Sequence, residues 1–168
     1  MIKQFFLVVL SSQFFLQSLP AQKPAATIPA FQFARIDGGQ FSNKELRKDR
    51  FSFFFFFDPT CSHCQEAAAN LDRHIRDYSN TAFYLVSTDT REAITRFTRL
   101  YMPNLLKSTG ATILVDTKRV FISSFQPLRY PAMFLYNLKQ ELVDYEDNAA
   151  SMFRFINIIK KLTQQAGS

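Results

Sequence analysis

The chain has 168 residues, which is enough for one domain. Charged residues make up 20 % and apolar residues 47 % of it, proportions that argue against both a disordered tail and a membrane-embedded bundle. The formal net charge is +6, and the chain has 20 Phe and no Trp. Only two Cys are present, which excludes a disulfide-stapled miniprotein, and only 4 Gly, which disfavours a glycine-rich nucleotide-binding loop.

The first 21 residues have the order of a secretory signal peptide. Lys3 supplies a positive charge, Phe5–Leu10 form an apolar run, and small residues lead to a cleavage point expected after Ala21. Polar residues interrupt the apolar stretch, which disfavours an uncleaved anchor because a membrane-spanning helix needs about 20 mostly apolar residues. We therefore predict that residues 1–21 are a signal peptide and that the protein is periplasmic or secreted. An uncleaved, membrane-attached form and a cytosolic start are the less favoured alternatives.

Residues 22–30 contain Lys, Pro, Ala and Thr and are predicted to form a flexible linker, so that the folded domain covers residues 31–168. The basic residues of that domain are scattered instead of clustered between aromatic ones. Nucleic-acid binding would require a clustered basic patch, and we do not predict it.

The domain alternates strand and helix signals along the chain. In order, these are a strand at 31–33, a capped helix from 42, a strand at 50–57, a helix at 64–78, a strand at 82–87, a helix from about 89 that ends before 103, a strand at 112–115, a short helix at 120–125, strands at 132–136 and 142–145 joined as a hairpin, and a helix at 153–162. This order predicts an α/β domain in three layers, α/β/α, around a central sheet.

Five consecutive phenylalanines, Phe53–Phe57, identify the central strand. Alternate side chains of a strand point to opposite faces, so this run requires helices or other cover on both faces of the sheet. Helical spacing further predicts that Leu100 and Phe153 face the core, and that Asp72 pairs with Arg76 on a solvent-exposed face.

The residues that carry chemistry are Cys61-Ser62-His63-Cys64, between that strand and the following helix. The strand delivers Cys61 to the carboxyl edge of the sheet, and the helix N-terminus supplies unpaired N–H groups that stabilise a thiolate. Cys64 lies one helical turn further on and can close a disulfide with Cys61. This arrangement predicts that Cys61 is the attacking thiolate and Cys64 the resolving cysteine, with His63 favouring the dithiol form.

Three alternatives to redox catalysis remain open from the sequence. A purely structural disulfide is disfavoured, because closing so short a loop removes little entropy from the unfolded chain. Cys61, His63 and Cys64 could bind Cu(I) or Zn in a carrier protein, although a fourth ligand is lacking because His74 lies about 15 Å along the same helix. The third alternative is an interaction module whose disulfide is idle.

Tyr130-Pro131 immediately precedes the predicted strand at 132–136. A proline at the first position of a strand is permitted with an ordinary trans bond. If the bond is cis, the turn would present the backbone of Tyr130 to a molecule that approaches the cysteine pair.

The order of elements and motifs resembles the thioredoxin superfamily, and within it the TlpA/ResA-like exported thiol–disulfide oxidoreductases, with some similarity to the AhpC/TSA branch. The segments that carry the resemblance are FQFARIDGGQFSNKELR, FSFFFFFDPTCSHCQE, TILVD and RYPAMFLYN. The resemblance implies a thioredoxin-like three-layer sandwich with a mixed sheet, Cys61 as nucleophile, Cys64 as resolving cysteine, and Pro131 as a cis-proline that faces them. Tyr130 would contact the substrate through its backbone. Protein thiols and disulfides are the implied substrates, with a separate redox partner and with no cofactor and no metal.

The sequence departs from the pattern of that superfamily at several positions. Thr60 replaces the usual Trp before the first cysteine, and Phe55 replaces a buried carboxylate that many thioredoxins use to move protons. TlpA/ResA-like proteins often have a Glu shortly after the second cysteine. Glu66 lies near that position but does not clearly match it, so the residue that exchanges a proton with Cys64 is unassigned. Pro59 and Thr60 directly precede Cys61, whereas the peroxiredoxin signature places its Pro and Thr further away, and we do not expect peroxidase activity.

The direction of electron transfer stays open at this level. His63 favours an oxidant, because a cation beside the motif stabilises the dithiol form. The resemblance to TlpA/ResA-like proteins instead implies a reductant.

Overall fold

The computed structural model describes residues 23–74, 80–108 and 110–166, so the predicted signal peptide at 1–21 lies outside the described residues. The strands are β1 (Gln32–Arg35), β2 (Gln40–Ser42), β3 (Phe51–Phe56), β4 (Thr81–Ser87), β5 (Ala111–Val115), β6 (Ala132–Tyr136) and β7 (Leu142–Glu146). The α-helices are α1 (Ser62–His74), α2 (Arg91–Tyr101), α3 (Val120–Phe125) and α4 (Met152–Ala166). The helix predicted from position 42 is a single 3-10 turn at Asn43–Glu45, closed by the predicted capping box of Ser42 and Glu45.

The seven strands form one sheet in the order β2-β1-β5-β4-β3-β6-β7. The central strand β3 pairs in parallel with β4 and antiparallel with β6, so the sheet is mixed. Helices α1, α2 and α4 cover one face, and the short helix α3 covers the other. These observations confirm the predicted three-layer α/β/α architecture around a mixed sheet.

The phenylalanine run occupies both faces of the sheet, as predicted. Phe53, Phe55 and Phe57 lie in the core beneath α1, α2 and α4. Phe54 and Phe56 point to the opposite core, against the aromatic side chains of α3. All five are buried, because the strand lies in the middle of the sheet with a layer on each side.

The segment predicted as a flexible linker, residues 22–30, is instead packed on the domain over its second half. The Ile28 N–H donates to the Gln140 carbonyl at 3.0 Å, and the Leu142 N–H donates to the Ala26 carbonyl at 2.8 Å. Ile28 is also buried in the core on the α3 side. These hydrogen bonds satisfy backbone groups at the start of β7 that would otherwise face water, which is why the segment is ordered despite its composition.

Asp72 is buried, contrary to the prediction that it pairs with Arg76 in solvent. Only 3 % of Asp72 is exposed, and its carboxylate accepts hydrogen bonds from the Leu105 N–H at 2.7 Å and from the Asn104 amide at 2.9 Å. Arg76 lies outside the described residues. The carboxylate therefore connects α1 to the loop that follows α2, and two hydrogen-bond donors stabilise its buried charge.

Two apolar side chains predicted to face the core are exposed. Leu100 on α2 is 61 % exposed and Phe153 on α4 is 45 % exposed. The buried faces of these helices are formed instead by Ile94 and Phe97 on α2 and by Met152, Phe155, Ile156 and Ile159 on α4. Helix α2 begins after Thr90, whose hydroxyl accepts the Ala93 N–H at 3.2 Å. Within residues 23–74, 80–108 and 110–166, none of the helices has the length and apolar character that crossing a bilayer requires.

Candidate functional site

A tight loop leads from β3 into α1 and is held by Asp58. One oxygen of its carboxylate accepts hydrogen bonds from both the backbone N–H and the hydroxyl of Thr60, each at 2.7 Å. The Asp58 carbonyl accepts the Cys61 N–H at 3.1 Å. Such Asx geometry lets a short polar side chain replace backbone partners in a turn, and here it fixes Cys61 immediately before the first residue of α1.

The two cysteines differ sharply in their environments. Cys61 is partly exposed, whereas Cys64 is completely buried, and both are free thiols. The Cys64 N–H donates to the Cys61 sulfur at 3.4 Å, so an N–H group of the first helical turn points at the sulfur of Cys61. A donor in that position favours the thiolate form of a cysteine. The structure thus brings the pair together as one accessible and one shielded sulfur.

Burial raises the pKa of the Cys64 thiol far above its usual range. A hydrogen bond from the backbone of Asp58 opposes the shift, whereas the neighbouring Cys61 sulfur and the Asp58 carboxylate add to it. Cys64 is therefore a protonated thiol at neutral pH. Any reaction in which it attacks must first remove that proton.

His63 is exposed on the first turn of α1, next to the partly exposed Cys61. His74 lies at the other end of the helix, where its Nδ1 is 2.8 Å from the Asn70 carbonyl and its ring contacts Phe153 at 5.2 Å. The structure therefore separates His74 from the cysteine pair, and only His63 of the two histidines accompanies the motif.

Tyr130 packs against the same core as Cys61 and Cys64, and Pro131 follows it in the chain. Their peptide bond is cis, Pro131 is buried, and the Tyr130 ring packs on Phe56 with a centroid separation of 4.7 Å. Burial raises the pKa of the Tyr130 hydroxyl, a hydrogen bond with Thr88 opposes that shift, and the Asp58 carboxylate adds to it. Tyr130 is thus within electrostatic reach of the loop that precedes Cys61.

A groove of about 740 Å³ joins Tyr130 to the motif loop, and its lining includes Asp58, Thr88 and Arg119, to which the sequence assigns no role in the site. Thr88 follows β4, and Arg119 lies in the loop after β5 with φ of 55°. The loops at the carboxyl ends of parallel strands meet at one edge of a sheet, which is the signal that could have placed Thr88 and Arg119 near Cys61.

The sequence left open which carboxylate could exchange a proton with Cys64, with position 55 and Glu66 as the places to examine. Phe55 is completely buried and stacks on Phe57 at 5.5 Å, so the strand offers no proton acceptor at that position. Glu66 is exposed on α1. The carboxylate whose charge acts on Cys64 belongs to Asp58, which comes from the motif loop instead of the strand.

In the part of the chain that the structure describes, no three His, Cys, Asp or Glu side chains are grouped so that they could hold a metal ion. This applies to Cys61, His63 and Cys64, the set that the sequence left open as copper or zinc ligands. Within that set, His63 is exposed whereas Cys64 is fully buried.

The contrast between the sulfurs predicts a strict order of alkylation. We expect iodoacetamide at pH 8 to modify Cys61 alone in the folded, reduced protein, because Cys64 is both inaccessible and protonated. Peptide mass spectrometry measures the modified fraction at each site, and Cys64 should react only after unfolding in guanidinium. In the matched Cys61→Ser variant the folded protein should stay unmodified. Equal rates at the two sites in the folded protein would contradict the assigned burial.

Comparisons with known proteins agree with this architecture. The model of the AhpC/TSA family matches residues 24–145, and no curated protein matches the chain in sequence. Among solved structures, the chain is similar to a secreted Mycobacterium tuberculosis disulfide oxidoreductase homologous to E. coli DsbE, with 18 % identity, a TM-score of 0.63 and coverage of 78 % of this chain and 95 % of that one.

Two further solved structures share the fold. The peroxidoxin BcpB from Mycobacterium tuberculosis has 13 % identity and a TM-score of 0.67, with 84 % of this chain and 97 % of that one covered. Copper-bound ScoI from Arabidopsis thaliana has 15 % identity and a TM-score of 0.59, with 83 % and 99 % covered. One fold therefore serves proteins described as a disulfide oxidoreductase, a peroxidoxin and a copper-binding protein, so the function has to be argued from the site.

Proposed function

This chain belongs to the AhpC/TSA family and has a thioredoxin-like fold, and we propose that it is a thiol–disulfide oxidoreductase that exchanges disulfides with extracytoplasmic proteins. The observation that carries the proposal is the asymmetry of the cysteine pair. Cys61 is reachable and accepts a helix N–H at its sulfur, whereas Cys64 is shielded one turn away. A purely structural disulfide does not require its two sulfurs to differ in solvent accessibility. A catalytic pair does, because one sulfur attacks the substrate and the other resolves the mixed disulfide.

In the reductive direction the exchange has two steps. The Cys61 thiolate attacks one sulfur of a substrate disulfide, so a bond between Cys61 and the substrate forms, the substrate's own disulfide breaks, and its second sulfur leaves as a thiolate that takes up a proton. The Cys64 sulfur then attacks Cys61, which forms the internal disulfide and releases the first substrate sulfur as a thiol. The substrate gains two electrons and two protons, and the pair loses them. The oxidative direction is the reverse of these steps.

The second step requires that Cys64 lose its proton. Burial holds its pKa high, and Phe55 cannot accept a proton. Asp58 supplies the carboxylate that acts on Cys64 from the motif loop, and we assign it the role of proton acceptor during release and proton donor in the reverse direction. In this assignment, a carboxylate in the loop after β3 takes the role of the carboxylate that many thioredoxins carry within the central strand, where this chain has Phe55.

Substrate positioning falls to Tyr130 and Pro131. Tyr130 lines the groove that also contains Asp58, and we assign to its backbone, before Pro131, the role of pairing with an extended substrate segment. His63, exposed at the motif, adds a donor next to the mixed disulfide. The predicted signal at 1–21 supports action outside the cytoplasm.

The test is redox equilibrium with glutathione. We expect the purified protein to convert between a dithiol and one Cys61–Cys64 disulfide. The reduction potential of the pair should lie between about −120 mV, which is typical of a strong oxidant, and about −270 mV, which is typical of a reductant. Alkylation of the remaining thiols followed by mass measurement gives the oxidised fraction at each glutathione ratio. The midpoint assigns the direction. A pair that forms no disulfide under any ratio would overturn the proposed function.

A further inference from the structure

A second groove, of about 540 Å³, adjoins the motif on the side of α2 and is not used by the exchange chemistry itself. One wall belongs to the motif loop and the start of α1, through Pro59, Thr60 and Gln65. The other wall belongs to α2, through Phe97, Leu100 and Tyr101. Thr60 is the immediate neighbour of Cys61, so a chain lying in this groove leads directly to the reactive sulfur.

The floor of the groove is apolar and rigid. Phe97 is buried and stacks on Phe57 with a centroid separation of 4.3 Å, and Tyr101 packs against Phe97 at 5.2 Å. Leu100 stands at the edge and is 61 % exposed, although it lies on a helix whose apolar face is otherwise buried. An exposed leucine beside a fixed aromatic floor is the arrangement that accepts an apolar side chain of a partner.

The rim of the groove carries more positive than negative charge, because Arg96 and Arg99 stand beside a single carboxylate, that of Glu92. A shallower depression of about 470 Å³ continues along the same helix and shares Glu92, Arg96 and Leu100 with the first groove, and Arg99 lines it as well. Within the described residues, neither Arg96 nor Arg99 forms an ion pair or a side-chain hydrogen bond. Arg91 on the same helix is already engaged, because its guanidinium donates to the carbonyls of Arg35 and Ile36 at 2.7 Å.

We propose that this α2 groove docks an extended acidic segment of the substrate protein, with an apolar side chain on Phe97 and Leu100 and carboxylates on Arg96 and Arg99. This inference rests on the proposed function and names the class of protein that function acts on. The occupant follows from charge complementarity, because the guanidinium groups of Arg96 and Arg99 outnumber the Glu92 carboxylate beside an apolar floor and so fit a segment that combines Asp or Glu with Leu or Phe. A second copy that placed its own α2 groove opposite this one would bring the same arginines to it, and like charges would repel.

The experiment uses two synthetic peptides that differ only in charge. Each carries one leucine and one cysteine blocked as a pyridyl disulfide, and one has Glu where the other has Lys. Release of the coloured pyridyl thiol by the reduced protein reports attack by Cys61. We expect kcat/KM to be about tenfold higher for the acidic peptide, through a lower KM, and the advantage to shrink as salt is raised.

Reversing the rim charges should reverse the preference. In the R96E/R99E double variant we expect the acidic-to-basic ratio of kcat/KM to fall at least tenfold, through KM. The matched control is K160E/K161E on α4, which changes the net charge equally but alters exposed residues that do not line the groove. It should keep the wild-type ratio. Leu100→Ser should raise the KM of the leucine peptide, and it should leave unchanged the KM of the same peptide with serine in place of leucine.

Three outcomes would overturn the docking site while leaving the proposed function intact. The first is that the two peptides have equal KM values. The second is that R96E/R99E and K160E/K161E lower the acidic-to-basic ratio of kcat/KM equally. The third is that the wild-type protein sediments as a dimer and that R96E/R99E dissociates it. The last would assign the groove to a second copy. Failure of the wild-type Cys61–Cys64 pair to equilibrate with glutathione, which needs no docking and reports either direction of exchange, would instead overturn the proposed function.

Discussion

Replacing Cys61 by serine will reduce disulfide exchange to the rate of the uncatalysed reaction. A serine hydroxyl is not ionised at neutral pH, so the variant retains the geometry of the helix N-terminus but has no nucleophile there. Cys64 cannot substitute for it, since that sulfur is completely buried and protonated. Reduction of insulin disulfides, followed by turbidity, measures the effect.

Cys64→Ser should behave differently. Cys61 can still attack, but no second sulfur is present to break the mixed disulfide, so substrate accumulates as a covalent adduct. A non-reducing gel of the variant incubated with oxidised substrate should show a band that disappears on reduction. The two variants control for one another because each removes a single sulfur atom. Retained turnover in Cys61→Ser, or the same adduct in both variants, would contradict the assigned roles.

The second large effect concerns stability. Phe54→Ala should lower the free energy of unfolding by about 3–5 kcal/mol, the range for truncating a buried phenylalanine. Phe54 is completely buried on the side of the sheet that α3 covers. Its ring lies within 4.8–6.2 Å of five aromatic rings, those of Phe31, Tyr84, Phe121, Phe125 and Tyr136. The cavity left by the mutation cannot close without moving this whole cluster.

Guanidinium unfolding followed by circular dichroism gives the change in free energy. The matched control is Phe153→Ala, which removes the same atoms from a side chain that is 45 % exposed on α4. We expect that variant to lose only about 0.5 kcal/mol, as is usual at the surface. Similar losses in the two variants would show that the cluster around Phe54 contributes no more than a surface contact.

Much of the fold could be predicted from the sequence because its signals are local or periodic. The run Phe53–Phe57 requires cover on both faces whatever the rest of the chain does, since side chains alternate along a strand. The capping box of Ser42 and Glu45 and the short helix at 120–125 depend on neighbours a few residues away, and both were predicted where they occur. The fold class followed from the order of such elements.

The candidate site was only partly predictable for the same reason. Adjacency in sequence places Cys61 and Cys64 one helical turn apart, and the structure finds them in contact. Asp58 is also adjacent, but its action on Cys64 depends on how the loop turns, which the sequence does not reveal. Thr88 and Arg119 reach the groove from the ends of other strands.

The alternation of strands and helices, the burial of both faces of the central strand and the spacing of the two sulfurs could be predicted from the sequence, because each depends on residues within about one turn or one strand of each other. Three features became clear only from the packed molecule: the burial of Asp72, the packing of residues near Ile28 on the domain, and the position of Leu100 at a groove. Burial and hydrogen-bond partners at these positions come from segments far away in the chain, and periodicity carries no information about which neighbour arrives to cover a given face.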